Sequence, residues 1–262
     1  MTDPHYAVSF LASLWGQQES AVADEVGDIL ASWQRYLKED PSRALAGDLP
    51  YRAELAAIIS SGILDSAGGV LAVSAREAGL TRADPGFFAV LGDYYAQVGP
   101  MLADSVAAAA QGSAHRALTA GIRAGLGERD LAARVLAQVV PASQARLRTV
   151  ARTELTNAAT LSRAAIFAGA GVTRFGFNAV LDDRTTRVCT CADGFVLDLT
   201  RALHRELAPA CHFRCRSLIV PADTSEQTTP DALVREALAL READFPGWIP
   251  RLSPFLAQSF GG

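Results

Sequence analysis

Arg152-Thr153-Glu154, Asp183-Arg184-Thr185, Cys189-Thr190-Cys191-Ala192-Asp193-Gly194 and Cys211-His212-Phe213-Arg214-Cys215-Arg216, running into Val220-Pro221, decide how this chain is read. They hold all four cysteines and lie in the stretch densest in arginine. The residues before them pattern as helix, and those after them as a linker and a tail.

The cysteines come first. Cys189-x-Cys191 and Cys211-His212-x-x-Cys215 put five soft or borderline ligands in two knots. Zinc takes four such ligands, and two close groups separated by a loop are a usual way to supply them. The candidate set is Cys189, Cys191, His212 and Cys215, with Cys211 as the alternative ligand. If all four positions are protein ligands, no open position remains for a substrate, and the metal is structural. Reduced cysteines packed as small hydrophobes, or a disulfide formed after lysis, are the rival readings.

Composition sets the frame. The chain has 262 residues, 50% hydrophobic and 20% charged, enough for one large domain or two ordinary ones. The N-terminus has neither the basic lead nor the apolar run of a signal peptide. No window holds the roughly 18–20 uninterrupted apolar residues of a membrane span. The expectation is therefore a protein that works off the membrane and folds in cytoplasm, where cysteines stay reduced. A formal net charge of −4 hides an asymmetry: between Pro141 and Pro221 there are 11 arginines against 6 acidic residues. That segment is open to non-specific DNA contact or to an acidic protein partner, although arginines pairing locally would give the same count.

The first 140 residues read as a helical domain. Asp3-Pro4 offers an N-cap and a first-turn proline for a helix to Lys38, with Val8, Leu11, Trp15, Val22, Val26, Ile29, Trp33 and Leu37 as its apolar stripe. About 35 residues at 1.5 Å each reach roughly 50 Å, more than a compact domain usually needs. Asp40-Pro41 breaks it. A second helix covers Tyr51 to Ala78, weakened at Gly68-Gly69. A third starts at Asp84-Pro85, and Pro100 is expected to kink or end it. Shorter helices are expected over Ser113–Ala124 and Glu128–Val139, and another from Ser143 to about Phe167, stopped by Gly169 and Gly171.

The texture then changes. Thr173–Leu181 alternates as a strand, Asp193-Gly194 signals a hairpin turn into Phe195-Val196-Leu197, and Ser217–Val220 makes a last strand. Arg201–Leu207 is a short helix, on which His204 reads as part of a solvated face. Residues 141–221 form a small α+β unit. The remainder, 222–262, reads as a polar linker over Asp223–Thr229, a short helix to about Ala243 and a Pro/aromatic tail, pinned to its own domain or docked on a partner. The fold expected is mainly α: a helical N-terminal domain followed by a small α+β domain with a Cys/His metal clip.

Other chemistry is thin. Asp182-Asp183 with Glu154 could make a carboxylate cluster, but Asp183-Arg184-Thr185 is also an ordinary Asx-capped turn. No Gly-x-Ser-x-Gly, Walker-type loop or His-Glu-x-x-His is present.

The order Arg152-Thr153-Glu154, Phe177 to Thr185, Cys189, Cys191, Asp193-Gly194, His212, Cys215-Arg216 and Pro221 resembles the phage head morphogenesis family, also called the Mu F-like minor head protein family. The resemblance covers roughly residues 140 to 221. The family typically closes with His-Pro-x-Cys-Arg-Cys, where this chain has Phe213 and Ser217, and Cys211 is an extra cysteine that compensates for the latter. What the resemblance implies is a non-enzymatic structural protein of the virion head, made in host cytoplasm. Its partners would be the portal and capsid proteins, and it would assist head assembly, DNA packaging or ejection. The rival is a metal-dependent nuclease acting on phage DNA through Asp183, Glu154 and His212, which needs an open coordination position and converging acids.

Overall fold

In the computed structural model, the structure describes residues 24, 26–40, 43, 50–80, 85–248 and 251–260. Helix α1 covers 26–39. It is followed by α2 (Arg52–Glu77), α3 (Pro85–Arg123), α4 (Glu128–Gly169), β1 (Arg174–Asn178), α5 (Arg187–Ala192), β2 (Val196–Asp198), α6 (Ala202–Leu207), β3 (Leu218–Pro221), α7 (Asp231–Asp244) and α8 (Ser253–Phe260). The protein is mainly helical with one small antiparallel sheet toward the C-terminal side, as the sequence predicts. The proposed stripe residues Val8, Leu11, Trp15 and Val22 lie outside the described residues, whereas Val26, Ile29, Trp33 and Leu37 are buried.

The helices are longer than the local signals suggest. Gly68-Gly69 does not split α2, α3 runs through Pro100, and α4 runs through Pro141, joining the two helices expected over 128–139 and 143–167. The 140/141 boundary read from the sequence thus falls inside one helix. A proline inside a helix leaves the carbonyl four residues back unpaired. Here those carbonyls belong to Ala96 and Ala137, residues exposed like the prolines themselves. Buried neighbours on the opposite face, Val98 and Leu102 in α3 and Val139 and Leu147 in α4, hold the helix through the interruption.

The described residues divide into two compact units, one from 26–62 and 95–151, the other from 63–94 and 152–260. In the first, α3 and α4 form an antiparallel hairpin across Gly125-Leu126-Gly127: Ser113 Oγ donates to Gln138 O at 3.1 Å and Arg146 Nε to Ser105 Oγ at 2.7 Å. Trp33 Nε1 donates to Pro50 O at 2.6 Å, closing α1 onto the loop that precedes α2. Gly99 lets α3 approach α2, since a Cβ there would sit 2.5 Å from Ser60 Oγ. By length and composition α2 would suffice to cross a membrane, with a mean hydropathy of 1.6 over its most apolar window. Its buried residues Leu55, Ile59, Ile63, Ala67, Leu71 and Ala75 recur every fourth position, the stripe of a core helix.

The second unit is built on a sheet of order β2-β1-β3, antiparallel throughout. Phe175 pairs with Leu197, and Phe177 with Ile219. Phe175 and Phe177 alternate inward, as the spacing predicts, and Phe175 meets Phe167 of α4 edge-on at 6.4 Å. β1 ends at Asn178, short of the expected Leu181, which is 59% exposed at the edge of a turn. Gly194 adopts φ 78 as the turn signal requires, but α5 is inserted between β1 and β2, so this is no tight hairpin. The 223–229 segment, read as a linker, is tied down: Thr229 exchanges hydrogen bonds with Val196, and Arg174 donates to the carbonyls of Thr224 and Glu226.

Arg163 of α4 locks this unit. It is buried, donates Nε to Ile219 O at 2.8 Å and Nη1 to Glu77 Oε2 at 2.8 Å, and stacks on Phe167. Burial lowers its pKa and Glu77 works against that. Replacing one partner of a buried pair strands the other, at about 3–5 kcal/mol. Arg163→Met should therefore lower urea stability by about that amount, and adding Glu77→Gln should recover part of it.

Candidate metal centre

The loop between α6 and β3 carries three of the candidate ligands, and α4 shapes it. Thr153, Thr156 and Asn157 share one face of α4 at i, i+3 and i+4. Thr153 Oγ1 accepts from Arg214 N at 3.0 Å, Thr156 Oγ1 donates to Cys215 O at 2.7 Å, and Asn157 Oδ1 accepts from Ala210 N at 3.2 Å. All three of these side chains are buried. Buried backbone groups need partners, and here helix side chains supply them instead of strand neighbours.

Held in this way, Cys211, His212 and Cys215 meet Cys189 from α5. All four are buried, and their ligand atoms lie within 4.8 Å of one another. Cys189 Sγ is 4.0 Å from Cys211 Sγ, 3.9 Å from Cys215 Sγ and 3.0 Å from His212 Nε2. Thiolates about 2.3 Å from a tetrahedral ion stand about 3.8 Å apart, so the sulfur spacing fits such an ion. His212 Nδ1 lies 2.7 Å from the Phe213 carbonyl, which can only accept, so Nδ1 carries the proton and Nε2 offers its lone pair to the cluster. Ser217 Oγ donates to Cys189 Sγ at 3.2 Å. Ser217 stands where the resembled family has its last cysteine and acts here as an outer support. The buried Cys3His group can hold a metal ion.

The thiols are electrostatically unequal. Hydrogen bonds with Cys189 and Cys215, reinforced by burial, push the Cys211 thiol well up. Burial also opposes the Cys215 thiolate, but hydrogen bonds from Cys189, Cys211 and Ser217 outweigh it and hold that thiol well below its usual value.

Cys191 is not in this cluster. Two residues along a helix turn a side chain through about 200°, so α5 cannot aim both cysteines at one point. Cys191 is half-buried, and burial first and Glu236 second push its thiol up. Cys211, offered by the sequence as an alternative ligand, lies in the cluster together with His212. The nuclease residues do not meet either. Asp183 sits on an exposed turn and His212 is in the thiol cluster. Glu154 accepts from Tyr94 at 3.1 Å, Asn157 at 3.0 Å and Arg251 at 3.1 Å. Among the described residues, the Cys3His set is the one group of three or more His, Cys, Asp or Glu whose ligand atoms converge. Asp182 caps its turn by accepting from Arg184 N and pairs with both terminal nitrogens of Arg216, whose hydrogen bond holds the carboxyl well below the usual range.

Three placements were not legible beforehand. His204 is fully buried, not solvated: Nδ1 accepts from Asp198 N at 3.0 Å and Nε2 donates to Asp231 at 3.1 Å, joining α6 to α7. Thr153, Thr156 and Asn157 carry no spacing that marks them as loop supports. The tail folds back on its own unit. Phe245 stacks on His212 at 4.8 Å and 9°, Trp248 meets Phe213 at 4.5 Å, and Phe255 meets Tyr94 at 4.8 Å.

Residues 113–220 match the family model described as Phage Mu protein F like protein. The match begins within α3, earlier than the resemblance read from the motifs, and ends inside β3. It bears out the head morphogenesis family over this segment, a little under half of the chain, and supports a role in phage head morphogenesis. No curated protein and no solved structure matches the chain.

The geometry sets two outcomes. Cys211→Ser should abolish stoichiometric metal binding, and Cys191→Ser should leave it intact, as read by metal analysis of protein purified under reducing conditions. Burial raises the Glu154 pKa despite its hydrogen bonds, so the folded state holds that proton more tightly than the unfolded chain. This contribution to stability is complete below the ordinary carboxylate pKa and is lost as pH rises through the raised one. The melting temperature of the native protein relative to Glu154→Gln should therefore fall as pH is raised from 5 to 8.

Proposed function

We propose that this chain is a minor head protein of a tailed bacteriophage that works by assembly, not by catalysis, and that its Cys3His centre holds a structural zinc. The observation that carries the reading is the match over 113–220 taken with a closed, buried ligand set inside it. Three thiols and an imidazole are the soft and borderline donors that suit zinc. The metal would supply folding free energy by cross-linking α5 to the loop before β3. With four protein ligands it would have no position left for a substrate or water.

The head context favours the portal and capsid proteins as partners, a place in the virion and a part in head assembly, DNA packaging or ejection. No specific observation favours the nuclease, because Asp183, Glu154 and His212 are each engaged elsewhere or apart. The direct test is co-expression with the portal protein of the same phage. Co-purification, with one zinc per chain and normal particle formation by an Asp183→Ala, Glu154→Gln variant, is the expected result. Failure to associate with portal or particles, or loss of infectivity by that variant despite normal incorporation, would overturn the assembly reading.

A further inference from the structure

Of the 11 arginines between residues 141 and 221, most are spent inside the fold. Arg163, Arg187, Arg201 and Arg216 pair with carboxylates, and Arg174 and Arg205 donate to backbone carbonyls. Arg146 and Arg152 are engaged as well. The positive excess of this segment is therefore not a general basic surface. Among the described residues three arginines remain, and two of them, Arg184 and Arg214, flank the same cleft. The third is Arg148.

That cleft lies against the Cys3His cluster, with Thr185, Thr186, Cys189, His212, Arg216 and Ser217 among its walls. Arg184 has a side chain 76% exposed and reaches Asp182 only at 3.5 Å, while Arg216 saturates that carboxylate from the other side. The Arg214 guanidinium has no hydrogen-bond or ion-pair partner among the described residues. Its backbone takes φ 59, the left-handed region that L residues with a Cβ seldom occupy. This conformation is fixed by the Arg214 N–H bond to Thr153 and by the flanking ligands His212 and Cys215. An arginine kept at a strained position where glycine would fit better, with its charge unspent, points to a use for the charge. The cleft is half open to solvent, and its innermost part has about 20 Å³, room for one water-sized group. That innermost part has the size of a single oxygen of an oxyanion.

We propose that Arg184 and Arg214 form an oxyanion site of the phosphate class on the rim of the metal centre, and that its occupant is a backbone phosphodiester of DNA. Guanidinium forks match phosphate oxygens, and contacts of this kind position a protein on nucleic acid without reading its sequence. The site does not depend on the head-protein reading: a failed portal test leaves it standing, and its own failure leaves portal binding untouched.

The test uses the full chain with its metal content verified. Binding of a short labelled DNA duplex is followed by fluorescence anisotropy across a salt series, and binding of inorganic phosphate by calorimetry. The variants are Arg184→Gln, Arg214→Gly, the double variant, and Arg148→Gln as a charge-matched control. Glycine is chosen at 214 because it accepts the left-handed backbone. The double variant is expected to bind the duplex roughly tenfold more weakly, with a salt dependence shallower by about 2 in the log–log slope, while Arg148→Gln matches the native protein. Binding of inorganic phosphate that the double variant loses, with no duplex binding, would keep the cleft but assign it to a free anion and overturn DNA as the occupant. Equal duplex binding by native and double variant, equal loss in the Arg148 control, or no binding of either probe would overturn the site.

Discussion

A buried loop must satisfy its own backbone before it can present ligands, and this loop has no strand beside it to do so. The stretch from Ala208 to Cys215 runs from the end of α6 toward β3 with its carbonyls and amides mostly out of water. One face of α4 replaces the missing strand, through Thr153, Thr156 and Asn157. Each such bond contributes about 1 kcal/mol when made and costs more when one partner is left alone in the interior. The Arg-Thr-Glu motif is in this light a scaffold motif. Its threonine holds the loop, and its glutamate ties α4 to Tyr94 and to Arg251.

The electrostatics of the centre extend that dependence. Three thiols in a dry place cannot all ionise without compensation. Part of the compensation comes from the chain: Arg216 is kept charged by Asp182 first and by Cys189 and Cys215 after it. Aspartate, arginine and thiolates thus form a graded series from solvent to interior, with the turn at Asp182 as its outer end. A divalent ion would complete the series at its inner end.

Much of this was legible in the sequence where a rule is local and strong. The period of four along α2, the inward alternation of Phe175 and Phe177, and the Gly171 and Gly194 turns all appear where the spacing puts them. The helix lengths were not, because a helix runs through Pro100 and Pro141 only where burial of its opposite face outweighs the lost bond and the ring clash, and burial is a tertiary fact. The ligand set was legible in part for the same reason. Cys-x-Cys looks like a chelating pair in a loop, but on a helix its two thiols diverge, which no spacing argument sees until the helix is known. His204 looked exposed because its sequence neighbours are arginines, yet the side chain turns inward to bridge α6 and α7.

The aromatic cover over the centre is one-sided, and this has a kinetic meaning. Cys189 and Cys215 close one loop of the chain, and Phe245 and Trp248, which lie against His212 and Phe213, close a later one. The closures are of similar length, 26 residues from Cys189 to Cys215 and 33 from His212 to Phe245, so chain entropy separates them by only about 0.2 kcal/mol. Phe245, stacked on the imidazole, shields one side of the centre, whereas the cleft beside Thr185, Thr186 and Ser217 leaves another side open to solvent. An ion held there would exchange through that cleft, without waiting for Phe245 or Trp248 to lift.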